Sequence, residues 1–416
     1  MFPTCFGGIR IGFVRVGFEF QNSPARRTGR EFLFKTLAHL RNKISAVVCG
    51  ASLSLLFACS FSPGMAAEEK KTAAEELLER RQKVEILGFF LKDPDQAALP
   101  KTSVAVEFLN QGIEHFEKNE FDLARKAVQD SLGRDHANPL AYELLGEIDN
   151  REQKLASAKA NFEIAYHLNP KPELKEKLEK LQGETVVEKK LSTYQEEHFL
   201  IKYFKEKQND RGFELRELLR ATYLNHSKDF AYYFNHQVAV LLYDEKDFKE
   251  ITRLPHWVAG VYDGKIRMPI NRQGFKDLDL RALAAHEVTH AFVAAMSKLR
   301  APAWLNEGLA EYEENKIKAL DLAVFQSAAA AQTLFPLDQL MSQAATASLN
   351  DPARVALFYQ QSFHFVNYLI TRYGMFRIKQ ILTELSKGKD SDEALGSALK
   401  VSPVYLEKEW KATFIK

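Results

Sequence analysis

The chain changes its apolar rhythm twice, and the two changes divide it into regions. An uncharged, largely apolar run from Ile44 to Gly64 comes first, preceded by Arg41 and Lys43 and followed by Ala66, Ala67 and the charged Glu68–Lys71. Positive end, apolar stretch, small residues and then a polar chain is the order of a secretory signal. The expected reading is a leader over 1–67, lengthened at its start by an N-terminal extension. A run of about 18 apolar residues can also span a bilayer. Leu56-Phe57-Ala58-Cys59 is similar to a lipobox with an unusual second residue, so a retained anchor and a lipid on Cys59 stay as alternatives.

Residues 68–104, with Pro94 and Pro100, read as a linker. From 105 the apolar positions take the helical period, and the pattern repeats after 34 residues: Gly112 recurs as Gly146, Ala124 as Ala158, Phe108 as Tyr142, Val128 as Phe162 and Ser131 as Ala165. Each unit predicts two amphipathic helices with small residues where they approach closely. A further helix over Glu173–Gln182 would cap the exposed apolar face. This spacing resembles the tetratricopeptide repeat and assigns 105–183 to an all-α repeat region. One polar row could face a protein partner: Asn110, Glu114, Glu117 and Arg125 in the first unit, and Glu143, Asp149 and Lys154 in the second. A solvated helix face is the plain alternative.

Beyond Glu188 strand formers take over. His198–Phe204 and Gln237–Tyr243 read as strands, Gly212–Tyr223 as a helix between them, and Val258–Ile270 as a hairpin turning at Asp263-Gly264. After Asp277 nearly everything has helical period. The predicted class is α+β, a small mixed sheet with a helical half, preceded by the repeats.

Composition narrows the function. Apolar residues make up 46%, enough for ordinary globular cores, and 57 Lys plus Arg against 55 Asp plus Glu give no general reason to expect nucleic acid binding. All three cysteines, Cys5, Cys49 and Cys59, precede residue 60, so a metal held further on must use His and carboxylate ligands.

Those ligands are present. His286-Glu287-Val288-Thr289-His290 lies in one helical stretch. Residues four apart share a helix face, so both imidazoles can grip one ion, and Glu287, about 100° round, can reach a water on that ion. A hydrolytic zinc site usually takes a third protein ligand. Pro302 suits the first turn of a second helix, Trp304-Leu305-Asn306-Glu307-Gly308-Leu309-Ala310-Glu311-Tyr312, which can return Glu307 to the ion. Glu311, one turn on, could accept an N–H from a liganding histidine.

His-Glu-x-x-His with this downstream segment resembles the gluzincin metallopeptidases, in particular their peptidase-MA-like and aminopeptidase-N-like branches, over roughly 195–416. The resemblance implies one zinc ion per chain on His286, His290 and Glu307, with Glu287 as the base. It also implies an oxyanion-stabilising tyrosine on a later helix, for which Tyr359 is the candidate. The aminopeptidases carry a Gly-x-Met-Glu-Asn segment that binds the substrate amine. The corresponding Gly264–Asn271 has no carboxylate in that role, so an endopeptidase or processing peptidase fits better. The 265–270 stretch is expected to be the edge strand pairing with substrate, with Arg267 facing solvent or substrate. The expected protein is an exported zinc peptidase of the periplasm or cell envelope, acting on peptide or protein substrates, with membrane contact only if the leader is retained or Cys59 is lipidated. A non-catalytic envelope scaffold and a zinc hydrolase of non-peptide bonds are the competing readings.

Overall fold

Small residues decide how the first helices pack. The structure is a computed structural model that describes residues 13–16, 104–204, 211–253, 258–270, 276–342 and 351–414. The expected leader and linker lie outside these residues apart from one short strand, β1 (Phe13–Val16). All described residues belong to one of two compact units. Helices α1 (Val104–Glu117) and α2 (Phe121–Leu132) form one hairpin, and α3 (Pro139–Arg151) and α4 (Leu155–Leu168) a second. A Cβ on Gly112 would lie 2.6 Å from Val128 Cγ2, and one on Gly146 would lie 2.6 Å from the Phe162 ring. The close approach therefore recurs at the same offset. So does the turn: Asn119 and Gln153 both have left-handed backbone, φ 58° and 60°. The helix expected over 173–182 is longer, α5 (Pro172–Glu188), and its last turns carry Glu184 onto the sheet.

The sheet has six strands: β1, β2 (Ser192–Gln195), β3 (Phe199–Tyr203), β4 (Val238–Tyr243), β5 (Val258–Tyr262) and β6 (Ile266–Pro269). Their order is β1-β5-β6-β4-β3-β2, with β3–β4 and β4–β6 parallel and the other pairs antiparallel. Helix α6 (Arg211–Phe230) makes the crossover from β3 to β4, and α7 (Glu245–Thr252) follows β4. The Asp263-Gly264 hairpin is present, with Gly264 at φ 98°. The expectation of an edge strand over 265–270 is corrected. β6 pairs with β4 on one side and β5 on the other, so it is interior. Parallel pairing between strands far apart in sequence leaves no local signal, which is why the hairpin alone suggested an edge.

Arg267 is corrected with it. It faces neither solvent nor substrate but is buried, donating to Glu184 of α5 at 2.7 Å and to Asp263. Its neighbour Lys265, equally buried, donates to Glu184 at 2.5 Å, Asn150 at 2.8 Å and Gln153 at 3.0 Å. The two cations of the hairpin thus face one carboxylate from the preceding helices, Glu184, and one from the hairpin's own turn, Asp263. Part of the polar row on those helices is also engaged within the protein. Arg125 pairs with Asp149 and Glu152, Glu143 with Lys171 and Lys177, and Glu117 with Arg300.

The helical half consists of α8 (Asp277–Ser297), α9 (Ala303–Asn315), α10 (Ala323–Ala330), α11 (Leu337–Met341), α12 (Pro352–Tyr373), α13 (Met375–Ser386), α14 (Ser391–Leu399) and α15 (Pro403–Lys411). Helix α8 is buried on every side from Ala282 to Ala295. A helix with no solvent-facing side must lie at the centre of a fold, and its alanines let the sheet and α9 close in. Its core partners include Val240, Leu242, Leu305 and Phe365. Among the described residues no helix is long and apolar enough to cross a membrane.

Candidate metal centre

His286 and His290 sit one turn apart on α8 with their rings 4.9 Å apart and nearly perpendicular. Opposite them α9 presents Glu307, whose Oε2 lies 3.6 Å from His286 Nε2 and 3.8 Å from His290 Nε2. The three ligand atoms lie within 4.8 Å of one another and all three residues are buried. Tetrahedral bonds of about 2.0–2.1 Å put neighbouring ligand atoms about 3.3 Å apart. The observed triangle is slightly wider than that, within a small side-chain rotation of closing. The expected trio is therefore brought together.

Two side chains orient the rings. Glu314 Oε2 lies 3.0 Å from His286 Nδ1, a hydrogen bond, whereas Glu311 Oε1 is 3.9 Å from the same nitrogen. The expected orienting role of Glu311 thus passes first to Glu314, which the sequence reading did not single out. Glu314 is seven residues after Glu307, two turns along the same face, and that spacing was the available signal. On His290 the contact is Asn306 Nδ2 at 2.6 Å from Nδ1, while Asn306 Oδ1 is buried without a partner. Turning the amide lets Oδ1 accept from His290 Nδ1–H and leaves Nε2 with its lone pair towards Glu307. Metal-ligating histidines need that tautomer. Asn306 was the second residue missed.

Charge supports the same assignment. Glu287, Glu307, Glu311 and Glu314 are all buried around the two histidines. Burial would lower the His286 pKa, but hydrogen bonds with Glu307 and Glu314 and the field of Glu311 hold it up at about 10. Burial and the adjacent His286 push His290 well below its ordinary value. An excess of buried carboxylate pulling on one imidazole is the environment a divalent cation would neutralise, so the donor set fits zinc.

Glu287 points to the strand side of α8. A Cβ on Gly260 of β5 would lie 2.8 Å from Glu287 Cδ, so the bare β5 backbone runs against its carboxylate. Tyr359 reaches the site from α12, hydrogen-bonded to Glu307. Burial first, then the Glu307, Glu311 and Glu287 carboxylates, hold its phenol well above the ordinary range, so it remains a neutral donor. Gly308 makes this approach feasible: a Cβ there would lie 2.5 Å from Val366 Cγ2 and 2.6 Å from Ser362 O of α12. The glycine beside Glu307 thus lets α12 deliver the tyrosine.

Two comparisons with known proteins bear on this arrangement. A stretch of 144 residues, 32% of the chain, is 29% identical to Uncharacterized protein YhcO of Bacillus subtilis (strain 168) and spans only 41% of that protein's length. Residues 249–416 match the model of the Peptidase MA superfamily, a span that holds β5, β6 and every helix contributing to the metal centre. The C-terminal part of the chain is accordingly similar to the Peptidase MA superfamily.

Proposed function

We propose that this chain is a zinc-dependent peptidase, exported from the cytoplasm, in which His286, His290 and Glu307 hold the ion and Glu287 is the general base. The observation that carries this reading is the convergence of two imidazoles and a carboxylate from two different helices, with Glu287 buried beside them and Tyr359 donating into the same space. A bound zinc ion would polarise the scissile carbonyl and make a water acidic enough to lose its proton near neutral pH. Glu287 takes that proton as the water attacks, then returns it to the leaving amine. Tyr359, neutral at working pH, donates to the oxyanion. Glu314 and Asn306 keep the imidazoles in the tautomer that presents Nε2.

β5 runs past Glu287 and is the strand that an extended peptide would join. β1 pairs with its outer side. In an exported chain cut near residue 67, that segment would leave with the leader and open the β5 edge to substrate backbone. Lys265 and Arg267 are engaged elsewhere, and the segment 264–271 carries no carboxylate to bind a substrate amine, which favours internal cleavage of a peptide or protein. The paired helices, with their period of 34, are read as tetratricopeptide-like repeats.

The test combines metal analysis with a peptide-library digest of residues 68–416. About one zinc per chain, lost in His286→Ala and Glu307→Ala, is expected. Glu287→Gln should keep the zinc and lose roughly 100-fold or more of the hydrolysis. Zinc-loaded protein that cleaves no peptide would favour the scaffold reading.

A further inference from the structure

Between the helix that carries the histidines and the helix that carries Glu307 lies a turn of five residues, Lys298 to Pro302. Lys298 and Leu299 both adopt left-handed backbone, φ 51° and 63°. Two consecutive non-glycine residues in that region are unfavourable and persist only where the surroundings over-determine them. Inside the turn there are hydrogen bonds from Leu299 N to Ala294 O at 2.8 Å and from Ala301 N to Ser297 Oγ at 3.1 Å. Other constraints come both from the helical repeats and from the C-terminal helices. Leu299 packs against the apolar core of the repeats, which includes Leu109, Ile113 and Phe116, and against the larger core around α8. Arg300 Nη2 donates to both oxygens of Glu117 at 2.8 and 2.9 Å, and Nη1 donates to Ser386 O at 3.1 Å.

We propose that Glu117 and the apolar core of the repeats are positioning elements of the metal centre. By gripping Leu299 and Arg300 they fix the turn, and so set the separation of His286 and His290 from Glu307. The inference rests on the peptidase reading, because it needs those three residues to hold an ion. The charge-assisted contact of Arg300 Nη2 with both Glu117 oxygens ties the turn to α1, and both ligand-bearing helices start or stop within a few residues of it. A small swing of the turn would be amplified at Glu307, one turn inside α9. The repeats then act on the ion without touching it.

The test uses the full chain and two readouts: zinc affinity by competition with a chromophoric chelator, and limited trypsin digestion at Lys298 and Arg300. Glu117→Ala should weaken zinc binding roughly tenfold, the size expected of a residue acting through the ligands, and speed cleavage in the turn. Arg125→Ala, which breaks the pairs with Asp149 and Glu152 inside the repeats, should leave both readouts unchanged. The swap Glu117→Arg with Arg300→Glu should restore affinity. If Glu117→Ala does not fold, Glu117→Gln gives the same readouts in milder form. Wild-type zinc affinity and a protected turn in the Glu117 variants would overturn the proposal while leaving the peptidase reading intact. Zinc binding that is absent from the wild type, or indifferent to His286→Ala, would remove the peptidase reading and this inference with it.

Discussion

Glu184 is the most exacting place to test how the repeats and the sheet hold together. It is buried, with side-chain relative exposure of 2%, and its two oxygens accept from Lys265 and Arg267, each 1% exposed. Burial alone would raise its pKa, but the Lys265 ammonium and then the Arg267 guanidinium outweigh this and hold it down to about 2, from an ordinary 4.5. A drop of that size corresponds to about 3 kcal/mol of stability. The sign follows from the direction: a depressed carboxylate contributes fully above its unfolded pKa and loses the contribution as pH falls from about 4.5 towards 2. Glu184→Gln keeps the shape but leaves Lys265 with the neutral Asn150 and Gln153 oxygens as its nearest acceptors. Removing one partner of a buried pair costs about 3–5 kcal/mol, so both routes give a similar figure. Denaturant unfolding followed by tryptophan fluorescence should show the variant about 3 kcal/mol less stable at pH 7. The gap should shrink as the pH is lowered through 4 to 3. Glu179→Gln, which breaks the exposed pair with Arg253, should change stability by less than about 1 kcal/mol. A Glu184→Gln protein within about 1 kcal/mol of wild type at pH 7, or a gap that stays constant to pH 3, would refute the reasoning.

Other expectations follow from close approaches in the site. Gly260→Ala places a methyl against the Glu287 carboxylate; a base displaced by about 1 Å should cost roughly 100-fold in peptide cleavage at unchanged zinc content. Gly308→Ala collides with Val366 Cγ2 and also with the Ser362 carbonyl of α12, which as backbone cannot swing aside, and should lower stability by about 1–3 kcal/mol in denaturant unfolding. Removing residues 105–183 strips Lys265 of Asn150 and Gln153 and Arg300 of Glu117; the shortened protein should give little soluble material and little short-peptide cleavage. That outcome differs from the behaviour of a freely detachable recruiting module, which would leave short-peptide cleavage intact, as a digest of the two purified proteins would show.

Local spacing made much of the site legible. The four-residue interval of His286 and His290 is a property of one helix, and Pro302 announced the second helix and so Glu307. Gly112 and Gly146 likewise marked helix contacts at a fixed offset. Contacts between distant segments were not legible. Arg267 finds Glu184 across 83 residues, and no feature near Arg267 indicates that a helix will cover it. β6 is interior because β4 pairs with it in parallel, an arrangement with no sequence-local mark. For the charged row on the repeats the sequence left a partner and a solvated face both open, because alternating charges read alike whether they meet solvent, a partner or each other. Glu314 was missed for a different reason: Glu311, Glu313 and Glu314 are all acidic, and only the turn-by-turn geometry of α9 selects the one that meets His286 Nδ1.

Leu299 also bears on the order in which the molecule assembles. The contact of Glu117 with Arg300 joins groups 183 residues apart, and closing so long a loop delays it relative to hairpins formed by neighbouring helices. The repeats come earlier in the chain and are built from local contacts, so they can be complete when the α8–α9 turn arrives. They then act as a template onto which the turn is pressed. Two separately produced pieces, 68–190 and 190–416, should therefore recombine when refolded together. The yield of the assembled pair would rise with the concentration of the first piece.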